Sequence, residues 1–143
     1  MAYLNRLYSV PLSDIEAVRE KADATIAPSF AVSVSHLVAY WVQVQPLGQL
    51  LGQAIDGGAM LSGTLRHKLR DPCYHEPEAV RLLSAELAEA WEQAIASHPV
   101  GSDDWYRMEI EKVLRLYAHA TEHGECVVSV LDPCTSIRVK LPN

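Results

Sequence analysis

The run Leu116-Tyr117-Ala118-His119-Ala120-Thr121-Glu122-His123-Gly124-Glu125-Cys126-Val127-Val128-Ser129-Val130-Leu131 changes its hydrophobic period half-way along, and that change decides the fold. Before Gly124 the apolar positions Tyr106, Ile110, Val113, Leu114, Tyr117 and Ala120 recur at helical spacing. After it, Cys126 to Leu131 is a valine-rich run, apolar except for Ser129, which reads as a strand buried on both faces. Gly124 stands where a left-handed C′ residue ends a helix, which places the last turn at Ala120 to His123. Downstream, Asp132-Pro133 reads as a turn and Ser136 to Leu141 as an edge strand.

Working upstream, Ser102-Asp103-Asp104 starts the same helix with a cap and two carboxylates at the positive end of its dipole. His98-Pro99-Val100-Gly101 separates it from a long amphipathic helix that opens at Pro77. In that helix Val80, Leu83, Leu87, Trp91, Ala94 and Ile95 face inward, while Glu78, Glu86, Glu89 and Glu92 form a solvated face. Asp71 to Glu76 reads as a loop, preceded by a short helix from about Gly63 to Arg70 that Asp71-Pro72 stops. Pro46 begins a further helix whose stripe Leu47, Leu50, Leu51, Ala54 and Ile55 ends at Gly57-Gly58.

At the front of the chain, Ala2 to Val10 reads as a strand closed by Pro11. Ser13-Asp14-Ile15-Glu16 is a capping box opening a helix from about Asp14 to Ala24, with Ile15, Val18, Ala22 and Ile26 at helical spacing. Ala31 to Gln45 fits both periods: Val34, Leu37, Val38, Trp41 and Val42 suit a helix, whereas Val38, Tyr40, Val42 and Val44 alternate as in a strand. Helix is the reading taken here, with Ser33 or Ser35 as its cap. The expected fold class is α+β, a mostly helical single domain over residues 1–143 with a small sheet formed by N-terminal and C-terminal strands.

The 143 residues suffice to bury about two thirds of the unfolded chain's surface around one core. A formal net charge of −6 argues against a polyanionic ligand, because binding to phosphate backbones draws its affinity from clustered Lys and Arg. The short basic cluster Arg66-His67-Lys68 with Arg70 lacks interleaved aromatics and reads as a solvated face. The expectation is therefore no nucleic acid, and a protein partner that is itself basic. No apolar run reaches spanning or signal-peptide length, and the three cysteines, Cys73, Cys126 and Cys134, form no C-x-x-C. No membrane association and a cytoplasmic location with free thiols are the corresponding expectations.

The residues Met1 to Val10 with Ser13 to Val18, the helix Pro77-Glu78-Ala79-Val80 continued by Leu83-Ser84 and Leu87-Ala88, and above all Glu111-Lys112-Val113-Leu114, Tyr117, Ala120 and Gly124-Glu125-Cys126-Val127-Val128 give the chain a familiar layout. In these positions it resembles the YfbM-like family of uncharacterised bacterial proteins. The resemblance implies an α+β domain with a small sheet packed by helices, and it assigns no activity and no functional residue. Residues from about Ser29 to Cys73 depart most from the family.

Two constellations carry chemistry. His119-Ala120-Thr121-Glu122-His123 spells H-x-x-E-H, which in one class of zinc peptidases sets two imidazoles on one helical face to share a metal, with the glutamate activating water. Cys126 could supply a third metal ligand if its strand turned the thiol back toward the helix end, and Glu125 could supply oxygen instead. The plain alternative is that histidines in a last turn complement the dipole and the open carbonyls. The second constellation, Cys73-Tyr74-His75-Glu76, gathers a thiol and an imidazole that suggest a nucleophile and its base, although neighbouring loop residues seldom point together. Trp41, Trp91 and Trp105 with Tyr40, Tyr106 and Tyr117 could line a groove, with core packing as their default. The function expected is a binding or accessory module, immunity-like, without catalysis or cofactor. The alternative is a zinc-dependent hydrolase with His119 and His123 as ligands and Glu122 as general base.

Overall fold

The computed structural model describes residues 4–20, 25–35, 38, 42, 44–60, 72–97, 105–132 and 138–141. The helix expected at Gly63 to Arg70, the basic cluster beside it, the Ser102 cap, the Asp132-Pro133 turn, Tyr40, Trp41 and Cys134 lie wholly or partly outside these residues. The described elements, in chain order, are β1 (Leu4–Val10), α1 (Leu12–Glu20), β2 (Thr25–Ile26), β3 (Phe30–Ser35), α2 (Leu47–Asp56), β4 (Ala59–Met60), β5 (Cys73–His75), α3 (Pro77–Ser97), α4 (Trp105–His123), β6 (Cys126–Asp132) and β7 (Arg138–Val139). The protein is α+β, as expected.

Five strands form one antiparallel sheet in the order β3-β1-β6-β5-β4. The terminal strands β1 and β6 are its centre, in register from Leu4 opposite Asp132 to Val10 opposite Cys126. Directly opposed residues share a face, so the register separates two cores. Leu7 and Val127 belong to the larger, which Leu51, Ile55, Val80, Leu87, Val113 and Leu116 of α2, α3 and α4 complete. Tyr8, Val10, Tyr74, Cys126, Val128 and Val130 belong to the smaller, covered by Ile15 and Val18 of α1 and by Ile26. A sheet covered on both sides explains why Cys126 to Leu131 carries no polar alternation apart from Ser129.

All five residues of the α2 stripe are buried, as are Val80, Leu83, Leu87 and Ala94 of α3. Each large apolar side chain so enclosed contributes about 1.5–3 kcal/mol relative to exposure. In α4 the buried apolar residues are Ile110, Val113, Leu116, Tyr117 and Ala120, joined by the carboxylate-bearing Glu109, while Tyr106 and Leu114 are only partly covered.

Several expectations require correction. Phe30–Ser35 is a strand on the sheet's edge, not the start of a helix, and among the described residues further along that stretch the Val42 amide donates to the Val38 carbonyl at 3.2 Å in a helical bond. Its outer edge explains the ambiguity. Lys112 Nζ donates to the Ser33 carbonyl at 3.2 Å, and Glu109 Oε1 accepts from the Ser35 amide at 3.0 Å, so α4 occupies hydrogen-bonding groups that an edge strand leaves open. Residues Cys73–His75, expected in a loop, are a strand paired to β6. Helix α1 begins at Leu12, so Ser13 falls inside its first turn, and Ile26 is buried from β2 rather than from the helix. Pro46 caps α2 from outside, with Leu47 the first helical residue. Arg138–Val139 does pair, but in parallel with β2 in a separate two-stranded sheet.

Candidate functional site

The turn between α4 and β6 is a complete Schellman closure. Gly124 sits at φ +62°, its amide donates to the Thr121 carbonyl at 3.3 Å, and the Glu125 amide donates to the Ala120 carbonyl at 2.9 Å. Where such a turn ordinarily places an apolar side chain, this chain has Glu125. Its carboxylate, with only 13% of the side chain exposed, accepts hydrogen bonds from the Ser9 hydroxyl at 2.8 Å and the Ser29 hydroxyl at 2.5 Å. A hydroxyl has one proton to give, so at the 2.8 Å contact His119 Nε2 donates to Ser29 Oγ. His123 Nδ1 lies 2.9 Å from the His119 carbonyl, which can only accept, so that nitrogen also carries hydrogen. The two imidazoles stack at 4.1 Å between centroids, and Phe30 stacks on His119 at 5.0 Å. The corner thus joins α4, β6, β1 and the start of β3 through one carboxylate, two hydroxyls, two imidazoles and the Phe30 ring.

Cys126 does not join this group. Its side chain belongs to the smaller core on the far face of the sheet, in register with Val10. Burial, followed by the nearby carboxylates Glu76, Glu125 and Glu16, pushes its thiol up to about 12. Thiolate is the form that ligates metals and attacks electrophiles, so the position suppresses both uses. Glu122 is exposed on the helix surface. Among the described residues no group of three or more His, Cys, Asp or Glu side chains could hold a metal ion. The sequence reading missed Ser9 and Ser29, which lie far from H-x-x-E-H in the chain; only the sheet register brings them to it.

His75 and Cys73 do share a face of β5, two residues and therefore about 6.7 Å apart along the strand. His75 Nε2 donates to the Gln53 carbonyl at 2.8 Å. That bond is one of a set that closes the C-terminus of α2. Tyr117 Oη donates to the Ala54 carbonyl at 2.7 Å, the Ser129 hydroxyl donates to the Ile55 carbonyl, and Asn5 Nδ2 lies 3.4 Å from the Ile55 carbonyl and 3.3 Å from Asp56 Oδ1. The last carbonyls of a helix have no partners within it. Here β5, α4, β6 and β1 each send one side chain to supply them, so His75, Asn5 and Ser129 have an architectural task. Burial pushes the Tyr117 hydroxyl well above the usual tyrosine range, keeping it a donor.

Of the aromatic residues considered for a groove, Trp91 packs partly buried against the larger core, and Trp105 is exposed with Tyr106 edge-on at 4.9 Å. A concave surface lies elsewhere, between α2 and α3. Pro46, Gln49, Leu50 and Gln53 form one wall and Glu86, Glu89, Ala90 and Gln93 the other, enclosing about 430 Å³. Leu50 and Ala90 give it a buried apolar floor. Glu86 and Glu89 are exposed and make no ion pair among the described residues, in contrast to Glu78, which Arg81 holds at 2.5 Å. The sequence carried a sign of this surface in Gln49 and Gln53, four apart on the polar side of α2 and therefore on one helical face.

No helix of the described residues is long and apolar enough to cross a membrane. No protein-family model, curated protein or solved structure matches the chain.

Proposed function

We propose that the protein is a small acidic binding module, accessory or immunity-like in its action and without catalysis, that takes a basic segment of another protein into the groove between α2 and α3. The observation that carries the reading is the groove itself. Among the described residues its charged lining is carboxylate only, Glu86 and Glu89 make no ion pair there, and three glutamine side chains around them offer amide oxygens to a cation. A guanidinium or ammonium could lay its aliphatic stem on Leu50 and Ala90 while its head meets the carboxylates. The formal charge of −6 would draw such a partner in. Cys73 and Cys126 are buried and form no disulfide among the described residues, which suits a reducing, cytoplasmic setting. A relationship to the YfbM-like bacterial family is part of the same proposal, resting on Val113, Tyr117, Ala120, Gly124 and Val127, which form the junction of α4 with β6.

Titration of ¹⁵N-labelled protein with a short arginine-rich peptide tests the reading. Shifts are expected at Gln49, Gln53 and Gln93, weakening as salt screens the charges. The Glu86→Gln, Glu89→Gln double variant should bind roughly 2- to 30-fold more weakly, since exposed ion pairs contribute about 0.2–1 kcal/mol each. Unchanged affinity in that variant, or shifts confined to another surface, would dispose of the proposal.

A further inference from the structure

We infer that His119 and His123 form a two-imidazole site for a transition-metal ion of the zinc, nickel or copper class, with its remaining coordination positions open to water. The inference stands apart from the groove and rests on how the two rings are held. Each has one nitrogen committed as a donor: His123 Nδ1 to the His119 carbonyl at 2.9 Å, and His119 Nε2 to Ser29 Oγ at 2.8 Å, with the Ser29 hydroxyl passing on to Glu125 at 2.5 Å. Metal-ligating histidines are characteristically held this way, with the second N–H given to a backbone carbonyl or, directly or through a relay, to a carboxylate. That bond fixes the tautomer and raises the basicity of the other nitrogen. The lone pairs left over are His119 Nδ1 and His123 Nε2, and no hydrogen bond among the described residues takes either.

The pair stands one turn apart on one face of α4, with ring centroids 4.1 Å apart and ring planes 22° from parallel. Stacked rings must splay for two nitrogens to reach one ion at about 2.0–2.1 Å. The splay falls to His123, exposed in the last turn, whose ring would turn about its Nδ1 bond to the His119 carbonyl, because His119 is held between Ser29 and Phe30. Glu125 lies 4.0 Å from His119 Nε2 and places a negative charge behind the site without ligating it. Two protein donors and open positions differ from the closed four-ligand arrangement of a structural zinc site, in keeping with the absence of a three-ligand group among the described residues. Imidazole donors select zinc, nickel and copper over magnesium and calcium, with copper(II) the tightest.

Isothermal titration of the full chain, purified without a histidine tag, with Cu²⁺, Ni²⁺, Zn²⁺ and Mg²⁺ decides the matter. One saturable site is expected for the first three ions, tightest for Cu²⁺, with none for Mg²⁺. His119→Ala and His123→Gln should each weaken Cu²⁺ binding at least tenfold, and Cys126→Ala should leave it unchanged. Ser29→Ala should weaken it about tenfold, because loss of the partner that orients a ligating histidine costs 10- to 100-fold in affinity. Circular dichroism checks that each variant is folded, and the exposed His123→Gln carries the test if His119→Ala is not. Absence of saturable binding below about 1 mM, the ceiling of weak association, would overturn the inference. So would full binding by His123→Gln, which means an adventitious site elsewhere, or tighter binding by Ser29→Ala, which means that Ser29 competes for the ligand nitrogen.

Discussion

Tyr117 shows how one residue can be read correctly by period and still hold a role the period conceals. Its place on the apolar stripe of α4 follows from spacing, and it is fully buried. Its hydroxyl, however, reaches Ala54 in another helix, and nothing local to the sequence announces that partner. Tyr117→Phe keeps the ring and leaves a buried carbonyl unsatisfied, for which the expected loss is about 1–3 kcal/mol of unfolding free energy. A urea titration measures it; a loss below about 0.5 kcal/mol would mean that water or a neighbour takes over the bond. The same consideration explains why His75 reads misleadingly from sequence. A histidine beside a cysteine suggests nucleophilic chemistry, whereas its hydrogen bond is to a helix end more than twenty residues away in the chain.

Among the elements, the stop between α4 and β6 was the most legible, because glycine at a helix end has a backbone cause. Gly124 has φ +62° with nothing within 4 Å of an added Cβ, so an alanine there meets conformational strain and no clash. Gly58, after α2, has φ +107° and would place a Cβ 2.5 Å from the Tyr74 carbonyl oxygen. Gly124→Ala should therefore cost about 1–2 kcal/mol and Gly124→Asn less, since asparagine tolerates the left-handed region. Gly58→Ala should cost more than either, because β5 must shift to admit it. Thermal unfolding of the three variants gives the order, and a Gly58→Ala protein as stable as Gly124→Ala would contradict it. Strands β2, β4 and β5 escaped the sequence reading for a physical reason. Two or three residues are too few to show a period of two, and their pairing is specified by neighbours rather than by their own pattern. Phe30–Ser35 escaped because its outer edge is met by Glu109 and Lys112 of α4, which sequence alone cannot bring there.

Across the whole molecule, the sheet divides the chain's protons as it divides its side chains: Tyr117 is buried on the side of the larger core and Cys126 on the side of the smaller. The class α+β and the pairing of the chain's two ends were legible because β1 and β6 are long and apolar. The corner at Glu125 was legible only in part, since the histidines share a helix but Ser9 and Ser29 arrive through the register. The two buried groups also make a joint demand on pH. Each holds its proton more tightly folded than unfolded: Cys126 is raised from 9.0 to about 12, and Tyr117 is raised from 10.0. Above about pH 9 the unfolded chain therefore binds fewer protons than the folded one, and the linkage relation makes stability fall as pH rises. The contribution is fully present at neutral pH. That of Cys126 is lost between about 9 and about 12, and that of Tyr117 declines from about 10 upward. Urea midpoints measured from pH 7 to 11 should be level to about pH 9 and then drop, and the drop should be shallower in a Cys126→Ala, Tyr117→Phe double variant, even though that variant starts from a lower midpoint. Parallel curves for the two proteins would show that other groups, not these two, set the alkaline limit.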